Sequence, residues 1–293
     1  MRILVLGFTG YLGGHVVERL RALPGTRVLG GGRSSDADHR IDLASADPER
    51  LAKTLAAAAP DAVVNCAGAI GGDTVTLAEV NTRGPAVLCA ALRAAAPAAR
   101  LVHLGSAAEY GPGTPDVPVT ESAPTSPVGP YGATKLAGTA AIAASGLDAV
   151  VLRVGNPVGP GAPPTGLPGR VAALLREAGP VLRLGDLSAY RDFVDVRDVA
   201  RAVELAVAAG GPLPSVLNIG GGAAVQVREV VGRLAELAGF RGRIEESASS
   251  SARSAQVSWQ CSDITAAHDA LGWRPTRTLE ESLSALWEGG RAP

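Results

Sequence analysis

Short apolar runs alternate along the first half of the chain with longer stretches in which apolar residues recur at helical spacing. The short runs are rich in Val, Leu and Ile, which indicates strands buried on both faces of a sheet. They lie at Arg2–Leu6, Arg27–Gly30, Ala62–Asn65, Leu101–Leu104 and Ala149–Arg153. The longer stretches, which predict helices, include Gly13–Leu23, Pro48–Ala58, Leu77–Ala95 and Tyr131–Ala144. This alternation predicts an α/β protein with a doubly wound parallel sheet.

The alternation loosens after about Asn156, where a segment rich in proline and glycine interrupts both periods. The break predicts a main domain boundary, with residues 1–156 in the first domain and residues 157–293 in a smaller C-terminal domain. Two later apolar runs, Phe193–Val196 and Val216–Ile219, also have the composition of strands. Both are candidates to return to the first sheet.

The composition of the 293 residues narrows the class of protein. Lys and Arg number 27 and Asp and Glu 28, a balance that argues against binding nucleic acid through a basic face. No apolar run approaches the ~18–20 residues of a membrane span, and the apolar start is too short for a signal peptide. Cys66, Cys89 and Cys261 show neither metal-ligand spacing nor a disulfide pattern. We therefore expect a globular cytoplasmic protein with no metal site.

A glycine-rich segment, residues 7–13, directly follows the first predicted strand and opens a helix. Such a turn needs residues without a Cβ, both for its own conformation and for close approach of the backbone to a pyrophosphate. The N-terminus of the following helix presents free N–H groups to the phosphates. This context predicts that the first domain is a dinucleotide-binding Rossmann domain. The loop residues predicted to bind the cofactor are Gly7, Thr9, Gly10, Tyr11, Leu12 and Gly13.

The end of the second strand bears on which dinucleotide is bound. An NAD site usually carries an acidic residue there for the ribose 2′-hydroxyl, whereas this chain continues through three glycines to Arg33 and Ser34. A guanidinium and a hydroxyl suit a 2′-phosphate, so we predict NADP(H); a solvated loop arginine is the alternative. The predicted adenosine contacts are Asp42 and its neighbour Leu43, together with Ala67 and Gly68.

Three residues have the chemistry of a proton-transfer site. Tyr131 and Lys135 are four residues apart, which on a helix places both on one face, where the ammonium stabilises a phenolate. Ser106 follows the predicted strand Leu101–Leu104. Ligands of open α/β sheets bind at the carboxyl ends of strands, so a serine there can hydrogen-bond a substrate oxygen.

With these residues in place, the sequence resembles the extended short-chain dehydrogenase/reductase family, in its NAD-dependent epimerase/dehydratase branch. The resemblance spans nearly the whole chain and includes segments 65–68, 152–157, 191–196 and 263–275. It implies that Tyr131 is the catalytic acid/base, that Lys135 binds the nicotinamide ribose and tunes Tyr131, and that Ser106 holds the substrate oxygen. The further binding residues it implies are Asn81 for the cofactor, and Asn156, Arg191 and Arg253 for the nucleotide diphosphate of the substrate. Glu109 is considered both as a substrate contact and as a structural residue.

Three functions fit such a fold, which alone cannot choose among them. The first is an NADPH-dependent 4-ketoreductase acting on a nucleotide-linked 4-keto-6-deoxyhexose, and the second an NAD-dependent nucleotide-sugar 4-epimerase. The third is a non-catalytic NADP-binding protein, against which the intact Ser106, Tyr131 and Lys135 argue. Arg33 favours the first over the second. The predicted partners are a nucleotide sugar, of open identity, and a second copy of the chain in a homodimer; a non-sugar ketone is a further possible substrate.

Elimination of water from a nucleotide-hexose is not expected. Family members that catalyse it resemble one another in having an Asp-Glu pair directly after the active-site Ser or Thr, where this chain has Ala107 and Ala108. Glu109 comes one residue later, and on a strand that step points its side chain to the opposite face.

Overall fold

A large parallel sheet forms the centre of the molecule. The computed structural model describes residues 1–177, 179–247 and 257–289. The strands are β1 (Arg2–Leu6), β2 (Arg27–Gly32), β3 (His39–Arg40), β4 (Ala62–Asn65), β5 (Arg100–Ser106), β6 (Ala149–Val154), β7 (Asn156–Val158), β8 (Val181–Leu184), β9 (Tyr190–Asp195), β10 (Val216–Ile219), β11 (Ala224–Gln226) and β12 (Arg243–Glu246). Seven of them form one sheet in the order β10-β6-β5-β4-β1-β2-β3, with every neighbouring pair parallel. The predicted α/β class with a doubly wound parallel sheet is confirmed.

Helices cover both faces of this sheet. They are α1 (Tyr11–Arg21), α2 (Pro48–Ala58), α3 (Thr74–Ala78), α4 (Gly84–Ala95), α5 (Pro130–Ala143), α6 (Leu167–Glu177), α7 (Val196–Ala208), α8 (Val227–Leu237), α9 (Thr265–Leu271) and α10 (Leu279–Gly289). Alternate residues of β1 enter opposite cores, with Ile3 and Val5 packed beneath α1 and α7, and Leu4 and Leu6 beneath α2 and α4. Within the described ranges, no helix has the length and apolar character needed to cross a membrane.

A second region has its own sheets and core. It contains a three-stranded sheet in the order β11-β9-β7 and the parallel pair β12-β8. Residues from α6, α8 and α10 pack over these strands, with Val171, Val230 and Leu283 fully buried. The strands of this region begin at Asn156, but α7, β10 and α9, which also follow that residue, pack in the first core, and the predicted boundary stays a prediction.

The two strands that were candidates to return to the first sheet behave differently. Val216–Ile219 is β10 and pairs with β6, at the edge of the large sheet. Of the run Phe193–Val196, the first three residues instead end β9, where Phe193 pairs with Asn156 of β7 in the second region, and Val196 begins α7. The chain therefore leaves the large sheet after β6, builds β7 and β9 outside it, and returns through α7 and β10.

The predicted single helix Leu77–Ala95 is interrupted. The structure divides it into α3, a π-helical turn at Glu79–Arg83, and α4. Helix α5 packs directly against this turn, because a Cβ on Gly138 would lie only 2.1 Å from the carbonyl oxygen of Asn81. A π-turn often marks a functional site, and this one lies beside the helix that carries Tyr131 and Lys135.

Candidate active site

The glycine loop between β1 and α1 brings three backbone segments together at the point where the strand order reverses. Gly7 has a φ of +73°, and a Cβ on it would lie 2.8 Å from the backbone nitrogen of Ala67, after β4. A Cβ on Gly13 would lie 2.1 Å from the carbonyl oxygen of Gly7. Gly10 donates from its backbone nitrogen to that same oxygen at 3.0 Å. These approaches leave a cradle free of side chains at the N-terminus of α1, which fits a dinucleotide pyrophosphate.

The other predicted loop residues differ in where their side chains lie. Thr9 is exposed, and Leu12 packs against the core beneath α1. The Tyr11 hydroxyl lies 3.4 Å from the carbonyl oxygen of Gly159, and burial, with Asp195 nearby, raises the pKa of Tyr11. The Tyr11 side chain thus links the two regions, whereas that of Leu12 packs in the first core. The backbone N–H groups of both residues lie at the start of α1.

The end of β2 carries the residues predicted to select the cofactor. Arg33 is exposed, and its guanidinium makes no hydrogen bond or ion pair with any residue that the structure describes. The Ser34 hydroxyl accepts a hydrogen bond from Asp36 N at 3.2 Å. The sequence analysis did not consider Asp38, whose carboxylate accepts from Gly30 N at 2.7 Å. A free cation and a bound carboxylate therefore both lie near this strand end.

The predicted adenosine contacts have partners of their own. Asp42 is exposed and accepts from Ala44 N and the Ser45 hydroxyl, both at 3.2 Å, so its carboxylate caps its own turn. Leu43 is buried in the core, and a Cβ on Gly84 would lie 3.0 Å from its Cβ. This packing occupies the side chain of Leu43, and the adenosine contacts stay predictions.

Asn81 supports the loop after β4, and its predicted cofactor contact stays a prediction. Its Oδ1 accepts from Ala69 N at 2.9 Å, and its Nδ2 donates to Ala69 O at 2.8 Å and to Thr134 Oγ1 at 3.3 Å. The side chain is buried with both ends of the amide engaged. It thereby fixes the segment containing Ala67 and Gly68 against helix α5.

Ser106, Tyr131 and Lys135 come together through backbone packing of α5 on the end of β5. A Cβ on Gly132 would lie 2.5 Å from the carbonyl oxygen of Ala108, so the first turn of α5 rests on the turn that follows Ser106. Tyr131, the neighbour of Gly132, is half-buried at the start of this helix. Ser106 Oγ accepts from Ala108 N at 3.2 Å, which leaves its hydroxyl proton available for a substrate oxygen.

Lys135 lies beneath this arrangement. It is only 4% exposed, and its Nζ donates to Leu104 O at 2.5 Å and lies 3.5 Å from His103 Nε2. Burial lowers the pKa of Lys135 to about 8, while Glu109 and Cys66 act in the opposite direction. A Cβ on Gly68 would lie 3.9 Å from Nζ, so the ammonium borders the predicted cofactor cradle. The predicted three residues therefore form one constellation.

Glu109 is a correction to the predicted substrate contacts. Residues Ala107–Glu109 form a 3₁₀ turn, not a continuing strand, and the Glu109 side chain is fully buried. Its carboxylate accepts from Ser106 N and from Arg153 Nε, each at 2.8 Å. A carboxylate enclosed in this way cannot reach a substrate, so Glu109 has the structural role that the sequence analysis gave as its alternative.

The residues predicted for the nucleotide diphosphate lie in the second region. Asn156 and Arg191 share one face of the three-stranded sheet, because Asn156 pairs with Phe193, two residues after Arg191. Asn156 Nδ2 donates to Asp192 O at 3.1 Å, and the buried Arg191 donates to Tyr190 O at 2.7 Å. Arg253 lies outside the described residues. The substrate roles of Asn156, Arg191 and Arg253 stay predictions.

Sequence reasoning missed several residues around the site. Arg153, the partner of Glu109, is a charged residue inside the apolar strand β6, a signal that was present but given no role. Gln260 donates to Ala107 O at 2.8 Å and brings a distant segment beside the Ser106 turn. Asp192 accepts from Gly221 N at 2.5 Å and Ser262 N at 3.0 Å. These long-range pairs have no sequence spacing that could reveal them. Across the residues that the structure describes, no group of three His, Cys, Asp or Glu could hold a metal ion.

Comparison with known proteins identifies the family. The model of the NAD dependent epimerase/dehydratase family matches residues 3–220. A dTDP-6-deoxy-L-talose 4-dehydrogenase (NAD(P)(+)) from Kitasatospora kifunensis is 39% identical over 302 residues, covering 98% of this chain and 94% of that protein.

Two solved structures have the same fold over nearly their full lengths. RMD from Pseudomonas aeruginosa, complexed with NADPH, superposes with a TM-score of 0.84 at 26% identity, covering 98% of each chain. UDP-glucose 4-epimerase from Thermus thermophilus, in complex with NAD, gives a TM-score of 0.85 at 27% identity, covering 100% of each. The glycine cradle, the constellation at α5 and these matches together show that the chain belongs to the NAD dependent epimerase/dehydratase family, within the extended short-chain dehydrogenases/reductases.

Proposed function

We propose that the protein is an NADP(H)-dependent ketoreductase acting on a nucleotide-linked 4-keto-6-deoxyhexose. The observation that carries the proposal is the constellation of Ser106, Tyr131 and the buried Lys135 beside the glycine cradle. It supplies one proton donor and one oxygen-binding hydroxyl, which is what the reduction of a ketone requires.

The chemistry divides between the cofactor and three side chains. NADPH, when bound, supplies the hydride to the carbonyl carbon. The Tyr131 hydroxyl gives its proton to the oxygen of that carbonyl, while Ser106 donates a hydrogen bond to the same oxygen. The Lys135 ammonium stabilises the phenolate that Tyr131 becomes, since a nearby positive charge favours the ionised form of an acid.

The substrate class rests on similarity and on the second region. The relative from Kitasatospora kifunensis acts, by its name, on a dTDP-linked 6-deoxyhexose at position 4. Asn156 and Arg191 lie on one face of the sheet that borders β6, where an amide and a guanidinium suit a diphosphate. We propose that these two residues, with Arg253, hold the nucleotide diphosphate.

The preference for NADP(H) rests on Arg33. Its exposed guanidinium, which no described residue engages, suits the 2′-phosphate, and the structure of RMD was solved with NADPH. A second candidate function, an NAD-dependent 4-epimerase, is favoured by one observation, the Asp38 carboxylate bound at Gly30. An acid near this strand end is the usual partner of an unphosphorylated ribose.

One assay separates the two candidates. The protein is incubated with dTDP- or GDP-linked 4-keto-6-deoxyhexose and either NADPH or NADH, and oxidation of the cofactor is followed by absorbance. We expect stoichiometric oxidation of NADPH with formation of a 6-deoxyhexose. A second incubation contains UDP-glucose in place of the keto sugar. Its conversion to UDP-galactose without net consumption of cofactor would instead identify the epimerase.

Two further properties stay predictions, a homodimer from the family resemblance and a cytoplasmic location from the composition. A homodimer would be detected by sedimentation velocity, as twice the mass of the 29.5 kDa chain. A cytoplasmic location would be tested by fractionation of the source cells.

A further inference from the structure

The buried carboxylate of Glu109 occupies a space that the strand beneath it leaves open. Its Oε1 lies where a Cβ on Gly105 would come within 2.8 Å, so any larger residue at Gly105 would displace it. Gly105 is the cross-strand neighbour of Arg153, whose side chain is also buried. The strands β5 and β6 thus form a pocket for one ion pair directly below Ser106.

Two buried cations face this carboxylate. The Arg153 guanidinium bonds to it and stacks on the Tyr110 ring, with Cζ 4.4 Å from the ring centroid. The Lys135 ammonium lies over the same face of β5, because its Nζ is 3.5 Å from Nε2 of His103, two residues before Gly105. There Glu109 acts to raise the pKa of Lys135. Arg153, bonded to the carboxylate, and Lys135, on the same face of β5, therefore place two positive charges near Glu109.

The other groups that face Lys135 carry no negative charge. On β5, the His103 imidazole is neutral, because burial and the neighbouring ammonium hold its pKa well below the usual range. After β4, burial raises the pKa of the Cys66 thiol to about 12. The Leu104 carbonyl is a neutral acceptor, and Tyr131 lies one helical turn before Lys135. Within the described ranges, Glu109 is the carboxylate that acts to raise the pKa of this lysine.

We propose that Glu109 is a positioning residue for the proposed reduction: its carboxylate anchors the backbone of Ser106 and supplies the negative charge that keeps Lys135 an ammonium ion beside Tyr131. The inference rests on the proposed function, in which Lys135 must be charged to stabilise the Tyr131 phenolate. In this proposal Arg153 holds Glu109 in place, because Arg153 Nε donates to the second oxygen of the same carboxylate.

The direction in which the pKa of Lys135 should change when Glu109 is replaced follows from charge and burial. Burial alone favours the neutral amine, and an opposite charge nearby restores the ammonium. Replacing Glu109 by glutamine keeps an acceptor for Ser106 N and removes the charge. We expect the titration midpoint of Lys135 to fall by about one pH unit, the lower end of the range for an opposite charge nearby.

The chain allows Lys135 to be observed directly, because its only lysines are Lys53 and Lys135. Protein labelled with carbon-13 at the lysine ε-carbon gives two NMR signals, and that of Lys53, exposed on α2, serves as an internal reference. In the wild type the Lys135 signal should titrate near pH 8. In Glu109→Gln it should titrate about one unit lower, while the Lys53 signal stays unchanged.

Three variants separate the effect of the negative charge on Glu109 from the effect of its packing. Glu109→Asp keeps the charge with a shorter side chain, so the Lys135 midpoint should stay near that of the wild type even if Ser106 is less well held. Glu109→Gln combined with Arg153→Met removes both members of the ion pair, so that no buried guanidinium is left without its partner. The Lys135 midpoint should still fall in this double variant. Asp198→Asn alters another fully buried carboxylate, bonded to Thr276 and Arg277, and should leave it unchanged.

Activity provides the second readout. The alkaline limb of the kcat profile should move with the NMR midpoint in each variant that reduces the keto sugar. An unchanged Lys135 midpoint in both Glu109→Gln and the double variant would overturn the inference. A shifted midpoint in a protein that reduces no keto sugar would uphold the charge compensation and reject the proposed function, so the two failures are distinguishable.

Discussion

The proposed cofactor half of the site, at the ends of β1, β2 and β4, and the proposed substrate half, around β7 and β9, are held in shape by different means. In the cofactor half the backbone segments touch directly, with the glycines at 7 and 13 leaving no room for a Cβ. In the substrate half a buried carboxylate gathers separate loops: Asp192 accepts from Gly221 N, Gly222 N and Ser262 N. The cofactor half depends on the absence of side chains at its glycines, and the substrate half depends on the single carboxylate of Asp192.

The difference determines how each half responds to change. Close backbone contact tolerates no added atom, but it involves few titratable groups. The carboxylate-centred half depends on protonation, and burial raises the pKa of Asp192 to about 6. We therefore expect substitutions in the cofactor half to alter cofactor affinity selectively, and substitutions in the substrate half to alter sugar binding selectively.

The largest effect is expected where the two halves meet, at Tyr131. Tyr131→Phe keeps the shape of the ring and removes the proton that the reduced carbonyl oxygen must receive. Loss of a general acid typically costs about 10²–10⁴ in rate. Single-turnover measurements should show this loss, while a fluorescence titration with NADPH should show affinity close to that of the wild type.

The same pair of measurements can contradict the assignment. If the Tyr131→Phe protein keeps more than about a tenth of the wild-type rate, another group supplies the proton. If cofactor affinity falls together with the rate, the two halves are not separable at this position.

Arg33→Ala tests the cofactor half alone. A charge-assisted hydrogen bond to phosphate contributes about 1.5–3 kcal/mol, roughly ten- to hundredfold in affinity. NADPH binding should weaken by that factor, and NADH binding and the KM for the sugar should not change. Arg27→Ala, at the opposite end of β2, is the matched control. Equal loss of NADPH and NADH affinity would remove Arg33 as the 2′-phosphate ligand.

The same contrast explains how much could be predicted from the sequence. The glycine loop was predictable because close backbone approach requires glycine at fixed spacing, as at Gly7 and Gly13. The helix α2 agreed to the residue because Asp47 caps it and Pro48 occupies its first position. Tyr131 and Lys135 were recognisable because both lie on one helix, four residues apart.

The other features of the site depend on contacts between residues that are distant in sequence. Glu109 could not be assigned without Arg153, 44 residues later, which encloses its carboxylate. The 3₁₀ turn after Ser106 was read as a strand because its two alanines favour no particular turn. Asn81 was assigned to the cofactor through the family resemblance, and its bonds to Ala69 and Thr134 have no signal in the sequence. Tertiary contacts override local pattern at Glu109 and in the turn after Ser106.

A smaller effect is expected in the substrate half from Asp192→Asn. The amide keeps one acceptor oxygen but replaces the other with a donor, so either Ser262 N or the glycine N–H groups lose their partner. Losing one such hydrogen bond costs about 1 kcal/mol, or roughly fivefold in binding. The KM for the nucleotide sugar should rise by about that factor, with kcat and NADPH affinity unchanged.

The pH dependence gives this prediction a second measurement. Above a pH of about 6 the Asp192 carboxylate is charged and accepts all three N–H groups, whereas below it the protonated form loses part of this capacity. The wild-type KM should therefore rise as the pH falls through 6, and the variant should show no such rise. Asp186→Asn, whose exposed carboxylate accepts from Ser188 N in its own turn, is the control. A wild-type KM that is flat across this range would show that the sugar does not sense Asp192.

The smallest expected effect is the absence of a reaction: the protein should not eliminate water from a nucleotide-hexose. Elimination across C5 and C6 needs one group to remove a proton and another to protonate the departing hydroxyl. Ala107 and Ala108 provide neither group. Glu109 is unavailable because it is buried in a turn with its two oxygens bonded to Ser106 N and Arg153, and not because a strand points it away.

Among the described residues around Ser106, Tyr131 then remains as the proposed proton donor to the sugar, which is sufficient for hydride transfer and insufficient for elimination. Incubation with dTDP-glucose or GDP-mannose and NAD should yield no 4-keto-6-deoxy product above a protein-free control. A known 4,6-dehydratase run in parallel shows that the assay detects the product. Formation of that product at a rate of order 1 s⁻¹, within the ordinary range for enzymes, would mean that the buried ion pair opens during turnover, and both the reductase assignment and the positioning role of Glu109 would have to be abandoned.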